Sequence, residues 1–239
     1  MTSVSVLQPF LAKLEKRAVL EPEDRAAVLA LPHTVRGLPR GHSLSHQHGD
    51  PSVCFAAYSG IVGRTKQLAG GTRQIISVHM AGEGVDLHKV ISAEATHGII
   101  ALTDAEVASI GATALRALLD RPGLRAAILR EIVYDGAIQR EWTVNVGRRD
   151  ARTRLAHFMC EMGWRMNEAG IGTADKIMIP LTQEQLADIT GLTPVHVNRT
   201  LQGLKKDGTM NRTAYPLTVT NPEALRTVGD FDDRYLQMA

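Results

Sequence analysis

Residues 181–208, LTQEQLADITGLTPVHVNRTLQGLKKDG, constrain the fold more tightly than any other stretch of the chain. Thr182-Gln183-Glu184-Gln185 has the spacing of a capping box, in which the Thr182 hydroxyl accepts a first-turn N–H while Gln185 reaches back. This predicts a short helix over 183–190, with Leu186, Ala187 and Ile189 available for packing. Gly191-Leu192-Thr193 reads as a tight turn. Thr193 is placed to cap a second helix, and Pro194 in its first position has no N–H to leave unpaired. Val197, Leu201 and Leu204 then recur at spacings of four and three, which makes one apolar stripe. Two short helices joined by a three-residue turn pack as a right-angle unit, with Ala187, Leu192 and Val197 as its shared core.

The residues off that stripe have chemistry suited to nucleic acid. Arg199 can contact guanine through two hydrogen bonds, and Asn198 can do the same with adenine or hold a phosphate. Val195 can touch a thymine methyl, and His196 can meet a base edge or a phosphate. Thr182, Gln183 and Thr193 stand at helix N-termini, where free N–H groups and side-chain donors favour phosphate. Lys205 belongs to a basic stripe, Arg199, Lys205, Lys206 and Arg212 against Asp207. A second stripe holds Arg148, Arg149, Arg152 and Arg154 against Asp150. The blander reading is a helical hairpin in an α-rich protein, with the basic stripes as solvated helix faces. The net charge of +2 does not choose between them.

A chain of 239 residues is long enough for two domains. Aromatic residues make up 4%, which argues against base-stacking platforms and carbohydrate-binding walls. No apolar run approaches the ~20 residues that span a bilayer, and the N-terminus lacks the basic-then-apolar order of a signal peptide. A cytoplasmic protein without membrane partners is expected. Residues 1–31 read as helical, with Leu7, Phe10, Leu11 and Leu14 at helical spacing and a break at Glu21-Pro22. From about Thr34 to Ile110, short apolar runs (VCFAAY, QIISVHM, THGIIAL, AEVASI) alternate with glycine-bearing turns. That texture predicts an antiparallel β-domain of sandwich or barrel type.

A long helix is expected from Pro122, with Leu124, Ile128, Ile132, Ile138, Trp142 and Val146 on one apolar face. Such a helix can pack on its own domain or pair with a second copy of itself, and its place between two domains favours pairing. Gly147-Arg148-Arg149 reads as a hinge, and Asp150 as the N-cap of a helix ended by Gly170 and Gly172. Two β-like pieces, Thr209–Thr213 and Leu217–Val219, follow the capped pair.

Together these features resemble the CRP/FNR superfamily of bacterial transcription regulators. The segment 181–208 is similar to that family's helix–turn–helix, and GEGVDLH, ALTDAEV and GRRDARTRLAHFMCEM resemble other parts of it. The likeness covers nearly the whole chain. It implies an α+β fold with an antiparallel β-roll, similar to cyclic-nucleotide-binding domains, in residues 1–121. A dimerisation helix and hinge would follow at 122–147, then a winged helix–turn–helix domain at 148–239, with its wing at 209–220. It implies a homodimer on double-stranded DNA with a two-fold symmetric site, RNA polymerase as a further partner, and no enzymatic activity. Thr182, Gln183 and Thr193 would be phosphate contacts, and Asn198 and Arg199 would lie at the base-reading surface. Many members carry glutamate where this chain has Val195, so their recognition sequence does not transfer.

The resemblance also implies an effector, which the sequence leaves unidentified. Gly82-Glu83 fits the ribose-binding part of a cyclic-nucleotide pocket. Where that pocket needs an arginine before a hydroxyl residue, the chain reads Ala95-Thr96, so a cyclic phosphate would lose its charge-assisted bond. Gly82, Glu83 and Thr96 remain the candidate pocket, and cyclic AMP is disfavoured. An iron–sulfur switch needs about four cysteine ligands, whereas Cys54 and Cys160 are well separated; Cys54 reads as a small buried hydrophobe. The competing reading is a metal-dependent, cupin-like enzyme using His42, His46 and His48. The latter two would share one face of a strand. It lacks the expected glutamate, with Asp50 the nearest carboxylate, and a solvated histidine loop is the preferred reading. His79, His88 and His97 are scattered and read as ordinary core or surface histidines.

Overall fold

The computed structural model describes residues 5–172, 177–212 and 215–237. They form two units, one of residues up to 72 together with 76–136, the other of residues from 137 onward together with 73–75.

The first unit opens with two short helices, α1 (Gln8–Glu15) and α2 (Pro22–Leu29). Proline in the first turn suits both, because the N–H it lacks has no helical acceptor there. Eight strands follow: β1 (His33–Leu38), β2 (Ser43–Ser45), β3 (Val53–Ser59), β4 (Ile61–Gln67), β5 (Arg73–Met80), β6 (Gly84–Val85), β7 (Gly98–Ala101) and β8 (Ala105–Gly111). They make two four-stranded sheets, ordered β1-β8-β3-β6 and β2-β7-β4-β5. Pairing is antiparallel, with His33 opposite Ile110 and Leu38 opposite Ala105 along β1 and β8. Leu38, Leu44, Phe55, Val62, Val85 and Ile99 form one core cluster. A second joins Cys54, Ala108 and Ile110 of the first sheet to Leu7, Phe10 and Leu14 of α1 and to the helices after the roll. Those are α3 (Ala112–Ala117) and the start of α4 (Pro122–Arg148).

Helix α4 runs for 27 residues, as its spacing predicts, but its faces divide differently from the expectation. Leu124, Ile128, Ile138 and Trp142 are buried within the protomer. The apolar residues left in solvent are Leu129, Val133, Val144 and Val146, at 39%, 50%, 46% and 39% exposure. Leu129 and Val133 are one turn apart, and Val144 continues their line eleven residues further on. The helix carries two apolar stripes, and periodicity alone picked the fuller one, which faces the protomer's own core.

In the second unit α5 (Ala151–Glu168) is capped by Asp150, whose carboxylate accepts the N–H groups of Arg152 and Thr153, both at 2.9 Å. Strand β9 (Ile177–Ile179), α6 (Gln183–Thr190), α7 (Pro194–Lys206), β10 (Met210–Arg212), β11 (Leu217–Val219) and α8 (Pro222–Val228) complete it. The three strands form an antiparallel sheet in the order β10-β11-β9 beside the helix pair, which is a winged helix–turn–helix. Thr213 of the expected wing lies outside the described residues. Strand β9 and helix α8 extend the expectation. Three residues are too few to show alternation, but α8 had a legible start, since Asn221 caps it through Ala224 N–H at 3.0 Å and Pro222 follows.

Candidate nucleic-acid interface

Local chemistry fixes the helix pair. The Thr182 hydroxyl accepts Gln185 N–H at 3.1 Å, and the Gln185 side-chain oxygen accepts Thr182 N–H at 2.8 Å. Leu186, Ala187 and Ile189 are buried beneath α6. The turn depends on Gly191, at φ +66°, a left-handed conformation that costs other residues roughly 1–2 kcal/mol. Leu192 N–H then returns to the Ala187 carbonyl at 3.1 Å. Thr193 caps α7 by accepting His196 N–H at 3.2 Å. Val197, Leu201 and Leu204 are fully buried, so the opposite face of α7 is held outward.

That outward face carries the candidate residues. Val195 is 80% exposed in the first turn. Arg199 is exposed one turn later and makes no hydrogen bond or ion pair among the described residues. Asn198 is exposed and donates to the Gln183 side-chain oxygen at 3.0 Å, which links the starts of the two helices. His196, Thr182 and Gln183 are half-buried, Thr193 is exposed, and Lys205 is exposed in the last turn. Thr182 and Thr193 act as acceptors in their caps, which leaves each hydroxyl hydrogen available to an outside acceptor such as a phosphate oxygen. All the predicted residues but Lys205, which lies in the last turn of α7, therefore gather at one end of a short capped helix pair.

The basic stripe of residues 148–154 has a different use. Arg149 pairs with Glu141 at 2.6 Å, and Arg152 pairs with Asp207. Arg154 donates to the carbonyls of Thr190, at 2.8 Å, and Arg149, at 2.9 Å. It thus satisfies a free carbonyl at the end of α6, where a cation also suits the helix dipole. Nothing in the local spacing of Arg154 reveals that role.

The β-roll turns its polar groups on one another. Gly82, at φ +89°, lies so near α1 that a Cβ there would sit 2.9 Å from the Pro9 carbonyl oxygen. Glu83 is buried, accepts Met80 N–H at 3.2 Å and lies 3.8 Å from Lys13 Nζ of α1. Thr96 stands exposed, its carbonyl accepting Lys66 Nζ at 2.7 Å. Glu83 is thus buried and engaged by its own turn and α1, whereas Thr96 is exposed.

The buried hub is Asp86, which sequence reasoning missed. Arg64 donates to Asp86 Oδ1 at 2.8 Å and to Asp135 of α4 at 2.6 Å. His97 Nε2 lies 2.8 Å from the same Asp86 oxygen, and Lys89 Nζ lies 2.9 Å from the other. Burial pushes the Asp86 pKa up, but the His97 hydrogen bond, the Arg64 and His97 charges and the Lys89 hydrogen bond outweigh it and hold the carboxyl well below its usual range. Cys54 donates to the Asp86 carbonyl at 3.3 Å, and burial raises its thiol to about 12, as befits a small core residue. His42, His46 and His48 are all exposed, and among the described residues no three histidine, cysteine or acidic side chains are grouped to hold a metal ion. The cupin-like alternative has no ligand set to stand on.

Residues 153–228 match the family of Crp-like helix-turn-helix domains. The nitrogen fixation regulation protein FixK of Bradyrhizobium diazoefficiens is 29% identical over 198 residues, covering 80% of this chain and 81% of that protein. The FixK protein of Rhizobium meliloti is 25% identical over 206 residues, covering 84% and 90%. Among solved structures, FixK2 from Bradyrhizobium japonicum aligns with a TM-score of 0.73 at 20% identity, over 83% of this chain and 98% of that one. Residues 153–228 thus carry a Crp-like helix-turn-helix domain, and over most of its length the chain resembles transcription regulators of the CRP/FNR superfamily. Its β-roll, long helix and winged helix–turn–helix share the fold of FixK2.

Proposed function

We propose that this chain is a CRP/FNR-type, homodimeric, sequence-specific DNA-binding regulator of transcription that lays α7 in the major groove. The observation that carries the reading is the outward face of α7. Val195 is exposed and Arg199 has no partner among the described residues, while the apolar stripe behind them is fully buried. Arg199 and Asn198 read base edges, with Val195 and His196 beside them. Thr182, Gln183, Thr193 and Lys205 hold the phosphate backbone. Residues 148–239 are the reading domain and residues 1–121 the regulatory one, responding to an effector that the site does not name. Residues 122–147 are the dimerisation helix and hinge.

Dimerisation uses the exposed stripe of Leu129, Val133 and Val144, apolar surface that a second α4 would cover. Two reading helices then meet half-sites about one helical turn apart, so the operator is two-fold symmetric. Such a protein works in the cytoplasm and meets RNA polymerase at the promoter, as a regulator rather than an enzyme.

Selection from random duplexes with the full-length protein tests the reading. Enrichment of a two-fold symmetric sequence, lost or relaxed at one position per half-site in Arg199→Ala, is the expected result. Equal affinity for selected and scrambled duplexes at every salt concentration would sink it.

A further inference from the structure

Beyond the matched segment 153–228, residues Gly229–Leu236 return along α5 toward the end of α4. Gly229 allows the return, since a Cβ there would sit 2.8 Å from the backbone nitrogen of His157. Phe231 and Leu236 are buried, and the Phe231 ring meets His157 edge-on at 5.1 Å. The His157 Nδ1 lies 3.2 Å from the Gly229 carbonyl oxygen, and its ring stacks on Tyr235 at 6.2 Å. Residues 229–236 are thereby seated on α5 by both packing and hydrogen bonds.

The polar centre of this seat is Glu161 of α5, which is fully buried. Its carboxylate accepts the Tyr235 hydroxyl at 2.8 Å, the Trp142 indole N–H at 3.0 Å to each oxygen, and the Arg165 guanidinium at 3.0 Å. Trp142 belongs to α4, Arg165 to α5 and Tyr235 to the tail, so one carboxylate ties three segments. The Trp142 ring also packs edge-on against Phe158 of α5 at 5.6 Å. Packing alone would hold α4 against α5, and an apolar replacement for a buried ionic group is often neutral for stability. Three donors converging on two oxygens add a defined direction.

That direction has a functional reading, which rests on the proposed DNA-binding dimer. Only Arg149 and Asp150 separate α4 from α5, and α5 carries the helix pair. If two protomers join along α4, the course on which α4 leaves the reading unit sets how far apart the two α7 helices stand. We propose that Glu161 is a positioning residue which, closed by Tyr235 from the tail and Trp142 from α4, fixes the half-site spacing that the dimer accepts.

The test uses full-length Tyr235→Phe, which keeps the ring against His157 and Phe231 and removes only the hydroxyl. Trp142→Phe, which keeps an aromatic ring against Phe158 and removes the indole N–H, is the second variant. Binding is measured on duplexes with one half-site and on symmetric sites at the selected spacing and with one base pair added or removed. Both variants should bind the single half-site like wild type and lose about tenfold on the symmetric site, the scale expected for a hydrogen bond to a buried charge. Their preference for the selected spacing should flatten. Equal loss on half-site and symmetric duplexes would make the network merely structural and overturn the proposal, as would an unchanged spacing preference in both variants. If wild type itself enriches no symmetric site, the dimeric regulator reading has failed instead, and the two failures are told apart by that control.

Discussion

The interior of the β-roll and the outer face of α7 are both rich in polar side chains, and they use them in opposite ways. Around Asp86, Arg64, Lys89 and the His97 ring converge on one buried carboxylate, and Arg64 carries the network on to Asp135. On α7, Arg199 is exposed with no partner among the described residues. A charged group already paired in the interior has little to offer a ligand, because binding would first have to break a desolvated contact. An exposed arginine on a capped helix loses only water when a base edge or phosphate arrives. The difference separates a structural ionic core from the proposed recognition surface without reference to residue type.

The sharpest way to break this contrast is Asp86→Asn. Asparagine tolerates the left-handed conformation of Asp86, φ +64°, so the change removes charge with little backbone strain. It leaves Arg64, Lys89 and His97 around a neutral amide. Loss of one partner from a buried ionic cluster costs about 3–5 kcal/mol, read as a lower midpoint of urea unfolding by far-ultraviolet circular dichroism. A loss below about 1 kcal/mol, the scale of an exposed pair, would mean that the cluster is an open receptor and not a closed core. The acid response follows from the same group. Its folded pKa is depressed, so its contribution is present above the unfolded value of about 4 and is lost as pH falls below it. Acid titration of wild type against Asp86→Asn should show a larger stability loss below pH ~4 in wild type than in the variant.

Next in size is Arg199→Ala, which tests the other side of the contrast. A good bidentate contact to guanine is worth about 1–3 kcal/mol of discrimination, so affinity for the selected site should fall accordingly while thermal stability stays within about 0.5 kcal/mol. A large drop in stability would show that Arg199 has an internal role after all. Thr182→Ala should cost stability instead, about 1 kcal/mol for a lost N-cap, and should also weaken DNA binding through the loosened start of α6. Circular dichroism melts beside binding titrations separate those two effects.

How much of this was legible follows from how local each signal is. Thr182, Gln185, Thr193 and Pro194 act within four residues of their partners, so the helix pair could be read directly from spacing. The β-roll could be recognised from its glycine turns, but its register could not, because alternation does not say which strand lies beside which. The Asp86 network was invisible: Arg64 is 22 residues away and Asp135 a further 49, and a buried charge in sequence looks like an exposed one. Glu161 and Tyr235, 74 residues apart, were hidden for the same reason. On α4 the error was of another kind. Both stripes are apolar, and only the packed structure shows that Leu124 and Ile128 belong to the core while Leu129 and Val133 do not.

The smallest effect discriminates most finely within the proposed recognition surface itself. Lys205 lies in the last turn of α7, ten residues beyond Val195, and is exposed. At 1.5 Å of rise per residue that separation is about 15 Å, which places Lys205 well back from the first-turn residues. A phosphate contact there would release condensed counterions without reading sequence. Lys205→Ala should therefore weaken selected and scrambled duplexes by the same factor and reduce the slope of log affinity against log salt by about 1. Arg199→Ala should instead narrow the gap between those duplexes. If Lys205→Ala narrowed the gap as well, base reading would extend along the whole of α7, and the division between a specifying first turn and a positioning last turn would have to be given up.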